Sequence, residues 1–411
     1  MQRLRGWTQP PDNRMRAALW VAALMSALAS PADAAGFSFE RQPQTIRVAT
    51  FNTDMNRQGA GVLVKDIIER DQQVLNVAEI ILRVQPDIVL LNEIDYDPEG
   101  RALSEFLKLL AEGVADVPGL RYAHNFLAPS NTGEPIGVDL DGDGRVMGTR
   151  DTKGFGRFPG QYGMALLSRV PLGPARTFRD FPWSQIPWSQ APSNPDGTAY
   201  YPSEAWEILP VSSKSHWDVP AVFPDGRTIH LLASHPTPPV FDGPEDHNGL
   251  RNAAEIRFWL DHIDEASWIR DDSGTAGGLP GGREFFLLGD LNNDPADGDG
   301  NKPAIRALLG HARVQDPMPR SPGAAAAKGR ISETHMADPA YDTAEWHETE
   351  DGPGNLRVDY VLPSVGLKVT SSGVFWPAPE DPLARLVAMK NRARASSDHR
   401  LVWVDIALEA E

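Results

Sequence analysis

Glu284-Phe285-Phe286-Leu287-Leu288-Gly289-Asp290-Leu291-Asn292 is the stretch on which the reading of this chain turns. A short, uninterrupted run of aromatic and aliphatic residues fits a strand buried on both faces. It breaks off in Gly, Asp and Asn. A carboxylate left unpaired inside a strand is costly, so the acid is expected at the strand end. The same form recurs along the chain. Residues 46–51 run into Asn52 and Asp54, residues 86–91 into Asn92 and Glu93, and residues 228–233 reach His235. Asp359 sits inside the run 358–362, Ser397-Asp398-His399 opens the run 401–406, and residues 164–168 form one more strand of this type.

Between the first two strands, residues 71–85 carry apolar side chains at 74, 77, 78, 81 and 84. That spacing gives a helix with one apolar face, and Asp71 is placed to cap it. Residues 249–263 and 302–309 read as two more helices, the second stopped by Gly310. Strands alternating with helices make the class α/β, with many strands buried on at least one side. Residues 126–160, 171–224, 271–282 and 317–354 read as long loop insertions, and loops of that length are commonly functional. In sheets covered on both faces, ligands collect beyond the strand ends. One such edge would here gather two Asn, several acids and two His. That is a hard-oxygen cation site beside groups able to move protons near neutral pH.

The chain has 411 residues, 41% of them hydrophobic, which is enough for a sizeable core and excludes a disordered chain. It has no cysteine, so thiolate zinc sites, iron–sulfur clusters and cysteine nucleophiles are excluded. A formal charge of −17 argues against a broadly basic surface that coats nucleic acid. At the N-terminus, Arg14 and Arg16 precede an apolar run over residues 17–28 that ends in Ser30-Pro31-Ala32-Asp33-Ala34, the pattern of a secretory signal. The run is too short for a membrane span. Residues 1–34 are therefore expected to be a signal peptide, starting at Met1 or Met15, and residues 35–411 one domain with long loops, exported to the periplasm or outside the cell. Loss of four Arg and two Asp would take the charge to −19.

Seven short motifs stand in order along this frame: Thr50-Phe51-Asn52-Thr53-Asp54, Leu91-Asn92-Glu93, Tyr162-Gly163-Met164-Ala165-Leu166-Leu167-Ser168-Arg169, Ala233-Ser234-His235, Gly289-Asp290-Leu291-Asn292, Arg357-Val358-Asp359-Tyr360 and Ser397-Asp398-His399. Each alone is weak. Together they resemble the endonuclease/exonuclease/phosphatase superfamily of deoxyribonuclease I-like enzymes, over residues 46–406. The resemblance implies a four-layer αββα sandwich with two central mixed β-sheets and an active site at their loop-bearing edge. It implies a metal-dependent phosphoesterase that cleaves phosphodiester bonds, with Glu93 as main ligand for Mg²⁺ or Mn²⁺ and Asn52, Asp54 and Asp398 around it. Asp290 and Asn292 match the pair that orients attacking water and phosphate oxygen, the Asp serving as base or as leaving-group acid. His399, oriented by Asp359, matches the histidine that activates water or contacts phosphate, and His235 one that donates to the phosphate or leaving oxygen. The sequence departs from the family pattern at Asn92, where Gln is usual, and at Pro236, Pro238 and Pro239, which stiffen the loop after His235.

The insertions should set the substrate. Lys214, His216 and Trp217 precede the His235 strand and are candidates to contact a leaving group. Trp183, Trp188 and Trp206, with Tyr200 and Tyr201, offer surfaces for stacking or a self-packed lid. Asp139, Asp141 and Asp143 have the opening spacing of a calcium loop, but Arg150 stands where an EF-hand needs Glu. A single structural Ca²⁺ and an ordinary acidic turn are the two readings. The function expected is that of a monomeric exported phosphoesterase acting on a phosphate ester, nucleic acid among the candidates. Phospholipid or sugar-phosphate hydrolysis is the alternative, and a noncatalytic secreted calcium-binding interaction protein the second.

Overall fold

The computed structural model describes residues 39–327, 335–346, 348–349, 352–390 and 393–408. The expected signal peptide lies outside them. The described residues from Phe39 onward form one contact unit.

Two mixed sheets make the centre. Strand β1 (Thr45–Met55) pairs in parallel with β2 (Ile88–Ile94), and Met164–Ser168 (β4) joins β2 on its other side, antiparallel, followed by β3 (His124–Leu127). The second sheet runs through β5 (Arg176–Thr177), β6 (His216–Val222), β7 (Thr228–Ser234), β8 (Phe285–Asp290) and β9 (Asp359–Pro363). In it, β7 and β8 are the parallel pair. The first sheet is completed by β10 (Val369–Val374) and β11 (Val402–Ala407), in the order β10-β11-β1-β2-β4-β3. Strand β1 faces β8 and β9 across the sandwich.

Helices cover the outer faces. Helix α1 (Val62–Ile68) leads into α2 (Gln72–Val84), where Asp71 accepts a hydrogen bond from the amide of Gln73, the capping role its position predicts. Helix α2 is tied to β1 by hydrogen bonds from Arg47 Nη1 to the carbonyl of Val84 and from Gln73 Nε2 to that of Thr53. Helix α3 (Arg101–Glu112) buries Leu103, Phe106 and Leu110, and the short α4 (Ser203–Ile208) lies in the second insertion. On the opposite side, Ile256, Trp259 and Ile263 of α5 (His247–Ile263) and Ile305 and Leu308 of α6 (Lys302–Leu309) pack with Leu232, Leu287 and Leu362 of the second sheet. The result is the αββα order of layers. Among the described residues no helix is long and apolar enough to cross a membrane.

Residues 171–224 correct the sequence reading in part, because they are not all loop. They contain β5 and β6, the latter paired with β7 over seven residues. Its His, Asp and Pro disguise a strand whose polar side chains are paired internally: Asp218 binds His230 at 2.5 Å and His262 at 3.1 Å. Trp183, Trp188 and Trp206 of this insertion cluster with Ala254 and Phe258 of α5, with Trp183 buried and its ring 5.0 Å from that of Trp206. Gly289 is required where β8 approaches β7: a Cβ there would lie 2.0 Å from the carbonyl oxygen of Ser234, at φ +150°.

Candidate active site

The strand ends expected to converge do so. β1 brings Asn52 and Asp54, β2 brings Glu93, β8 brings Asp290, β9 brings Asp359, and the turn before β11 brings Asp398 and His399. Asp54, Glu93 and Asn292 have φ of +49°, +59° and +51°. Non-glycine residues pay for the left-handed region, and such strain collects at functional sites. Asp54 and Glu93 lie near the ends of strands of the first sheet, and Asn292 lies two residues beyond the end of β8 in the second.

Asn52 is the bridge between the two sheets. Its Nδ2 donates to Glu93 Oε1 at 3.1 Å and to Asp290 Oδ2 at 3.0 Å. Asp290 is buried and surrounded: His235 Nε2 lies 3.3 Å and His399 Nε2 3.7 Å from its Oδ2. Burial alone would raise its carboxyl, but the charge of His399 and the hydrogen bonds from His235 and Asn52 outweigh burial and hold it well below the usual range. His399 Nδ1 binds Asp359 Oδ2 at 2.9 Å, and the hydroxyl of Thr343 donates to that same oxygen at 2.8 Å. Burial lifts Asp359 to about 6, still a carboxylate at neutral pH. Although burial opposes the charged ring, Asp359 and Asp290 hold His399 protonated well above the ordinary histidine value. His235 is the opposite case: burial, then the charge of Lys214, pushes it down to about 4, so it is neutral.

Three carboxylates form the other half. Burial, then Asp54 and Asp398, push Glu93 up to about 7. Burial and Asp398 also raise Asp54, against Arg394. This is excess negative charge on hard oxygen donors, the donor set a divalent cation such as Mg²⁺ takes, so the residues fit such an ion. The tighter group Asp290, Asp359 and His399 has ligand atoms within 4.8 Å of one another, but the His399 Nδ1 is spent on Asp359.

The remaining candidates divide. Lys214 is buried beside the cluster, its Nζ 3.4 Å from the carbonyl of Pro236, and burial pushes its ammonium down against the charges of Glu255, Glu93 and Asp290. Asn292 donates to the same Pro236 carbonyl at 3.0 Å, and the amide of Thr237 donates to Glu255 Oε2 at 2.6 Å, so the proline loop is pinned at its start. His216 and Trp217, grouped with Lys214 as substrate contacts, are corrected by their environment. His216 uses Nδ1 on Ser212 at 2.6 Å and Nε2 on the carbonyl of Glu255 at 3.0 Å, and Trp217 is buried with its ring edge-on to Phe126. Both are core. Asp139, Asp141 and Asp143 do cluster within 4.8 Å, but Asp139 accepts from the amides of Gly142 and Gly144 and Asp143 from that of Arg145, as in an acidic turn.

A family model described as the Endonuclease/Exonuclease/phosphatase family matches residues 49–399. The chain belongs to this family. Its members are phosphoester hydrolases. An endonuclease/exonuclease/phosphatase from Beutenbergia cavernae is similar in structure at a TM-score of 0.50 and 19% identity, covering 89% of this chain and 72% of that one. Sphingomyelinase C from Streptomyces griseocarneus has a TM-score of 0.44 at 14% identity, covering 88% of this chain and 100% of that one. Truncated TDP2 from Caenorhabditis elegans has 0.43 at 15%, covering 89% and 98%. None of the curated proteins matches the chain.

Several site residues lie outside the family's motifs as read in the sequence. Asn56 donates to Glu93 Oε2 at 2.8 Å and to Asp54 Oδ1 at 3.0 Å, and a polar residue two places beyond Asp54 was a usable signal. Arg394 bridges Asp54 at 2.8 Å and Asp398 at 2.7 Å. Thr343 and Trp346 come from the insertion 317–354, where no pattern announced them. The indole N–H of Trp346 donates to Asp398 at 2.8 Å, and its ring meets that of His399 edge-on at 5.2 Å.

Proposed function

We propose that this protein is an exported, metal-dependent hydrolase of phosphodiester bonds that uses Mg²⁺ or Mn²⁺. The observation that carries the reading is the ionised Asp290 between Asn52, a neutral His235 and a protonated His399, next to the carboxylates around Glu93. Glu93, Asp54, Asp398 and Asn52 would hold the ion. Bound there, it supplies positive charge to phosphoryl oxygens, without which a phosphodiester resists attack by a nucleophile.

The chain's own groups divide the rest. Asp290, ionised and buried, is held too far below the usual carboxylate range to be a strong base, and its role is to accept hydrogen bonds and orient the attacking water. His399 brings positive charge to the phosphoryl group, and Asp359 fixes its ring through Nδ1, the logic of an orienting acid in hydrolytic triads. Lys214, buried beside the same cluster, adds a second cation. His235, with Nε2 toward Asp290, holds that carboxylate in place.

Hydrolysis of bis(p-nitrophenyl) phosphate with added Mg²⁺, lost in Glu93→Ala and in His399→Ala, tests this. Wild-type protein that turns over neither this diester nor the corresponding monoester overturns it. It would leave the noncatalytic interaction protein as the better reading. Within the phosphoesterase reading, the net charge of −17 makes nucleic acid the substrate least supported by electrostatics.

A further inference from the structure

A cavity of about 620 Å³ opens directly beside the cluster. Glu93, His235 and Lys214 line its inner end. The outer wall comes from three segments. Asp141 and Arg150 belong to the first insertion and Tyr200 to the second, while Phe241, Asp242 and Glu245 belong to the loop between β7 and α5.

Two polar atoms at the inner end have no protein partner. These are Thr237 Oγ1, on a residue 7% exposed, and His235 Nδ1, on one 2% exposed. A buried donor or acceptor left unmatched in a native fold calls for a ligand or water. At the outer end the chemistry changes. The Tyr200 ring stacks on His247 at 4.6 Å, and Phe241 is 91% exposed at φ +67°. Glu245 accepts from the amide of Gly243 at 3.0 Å and binds His247 at 2.8 Å. Asp242 accepts from the amide of Asn248 at 2.7 Å. Arg251 also lines the cavity, but it donates to the carbonyls of Lys153, Pro210, Val211 and Ser212. Acid therefore outweighs available base at the outer wall, with Arg150 at the rim as its counterweight.

We infer that the substrate is a small phosphoester with a single anionic group, whose compact organic part fills this cavity and presents hydrogen-bond donors to Asp141, Asp242 and Glu245. This rests on the phosphoesterase reading above. The volume matches that of ordinary small-molecule pockets. The aromatic faces of Tyr200 and Phe241 accept either the carbon face of a polyol or a cationic amine. A polyanion is disfavoured, because its next phosphate would be carried toward the carboxylates of the outer wall. Such like-charge contact is how a site rejects a wrong partner.

The test compares kcat/KM, with Mg²⁺, for bis(p-nitrophenyl) phosphate, glycerophosphoethanolamine, glycerophosphoinositol and a DNA oligonucleotide counted per linkage. At least one glycerophosphodiester should exceed the oligonucleotide by about tenfold or more, the worth of one hydrogen bond to a charged group. The amine and polyol arms identify which donor the wall reads. In the double variant Asp242→Asn, Glu245→Gln, the ratio of kcat/KM for the preferred diester over bis(p-nitrophenyl) phosphate should fall about tenfold. Phe241→Ala, at an exposed position that does not threaten folding, should raise KM for the preferred diester. A preference for the oligonucleotide, or an unchanged ratio in the double variant, overturns the inference alone. Absence of any bis(p-nitrophenyl) phosphate turnover by wild type overturns the phosphoesterase reading, and the inference with it.

Discussion

Replacing Asp359 by Asn keeps the shape of the side chain and removes the charge that faces His399. At 2.9 Å the full interaction of two unit charges, in an effective dielectric near 20, is about 6 kcal/mol, an upper bound on what the pair contributes. The net worth of a hydrogen bond to a charged group is smaller, about 1.5–3 kcal/mol. If that is expressed in the transition state, kcat falls about 10- to 150-fold while KM changes little. The fold should survive, since the Asn oxygen can still accept from Thr343. Its new NH₂ group takes the place of Asp359 Oδ1, which has no partner, and costs about 1–3 kcal/mol of unfolding free energy. The assay is steady-state hydrolysis of bis(p-nitrophenyl) phosphate, with urea unfolding alongside. The decisive comparison is Asp359→Asn in a His399→Gln background, where the second change should cost no more than about threefold, because groups that act as a unit are non-additive. Fully additive losses, or a single variant with unchanged kcat, would refute the argument that Asp359 acts through His399.

Lys214→Met should lower kcat/KM about 10- to 100-fold, the cost of losing one charged hydrogen-bond donor to the phosphate, while circular dichroism and urea unfolding report an intact fold. Its neighbour Glu255 keeps hydrogen bonds from the amides of Ser213 and Thr237, so that carboxylate is not stranded. His216 gives a pH prediction. Burial pushes it from an ordinary 6.5 down to about 4, so the unfolded chain binds its proton first and stability is lost as pH falls from 6.5 toward 4. The full effect is about 3 kcal/mol, and it should appear as a difference in the pH dependence of unfolding free energy between wild type and His216→Gln. Parallel curves for the two proteins would contradict it.

Strands with continuous apolar runs were legible because burial on both faces leaves an uninterrupted signature. The run at residues 164–168 is β4 residue for residue, and Asp71 caps α2 as its spacing predicts. The rule that acids lie at strand ends held for Asp290 and failed for Asp405. That carboxylate sits inside β11, where Arg47 binds it with two hydrogen bonds at 2.7 and 2.8 Å across the strand pair. Strand β6 was hidden for a related reason: its polar residues are paired within the core, so its pattern reads as loop. At the site, the residues carried by strand ends were visible, and those that orient them were not. Thr343, Trp346 and Arg394 meet Asp359, His399 and Asp54 only after the chain has folded back over long separations, and no local spacing encodes that. His216 and Trp217 show the converse. Their residue types suggested substrate contact, and their packing makes them core.

In the proposed function, a divalent cation held at Glu93 enables phosphodiester hydrolysis beside Asp290 and His399. The most direct test is the initial rate of bis(p-nitrophenyl) phosphate hydrolysis as a function of Mg²⁺ concentration, for wild type and for the nearly isosteric Glu93→Gln. A saturable rise in rate is predicted for wild type, abolished by a chelator, with the variant at least about a hundredfold slower at the same Mg²⁺, since metal charge stabilises such a transition state by several kcal/mol. A rate that ignores Mg²⁺, or a Glu93→Gln protein within about threefold of wild type, would contradict the account.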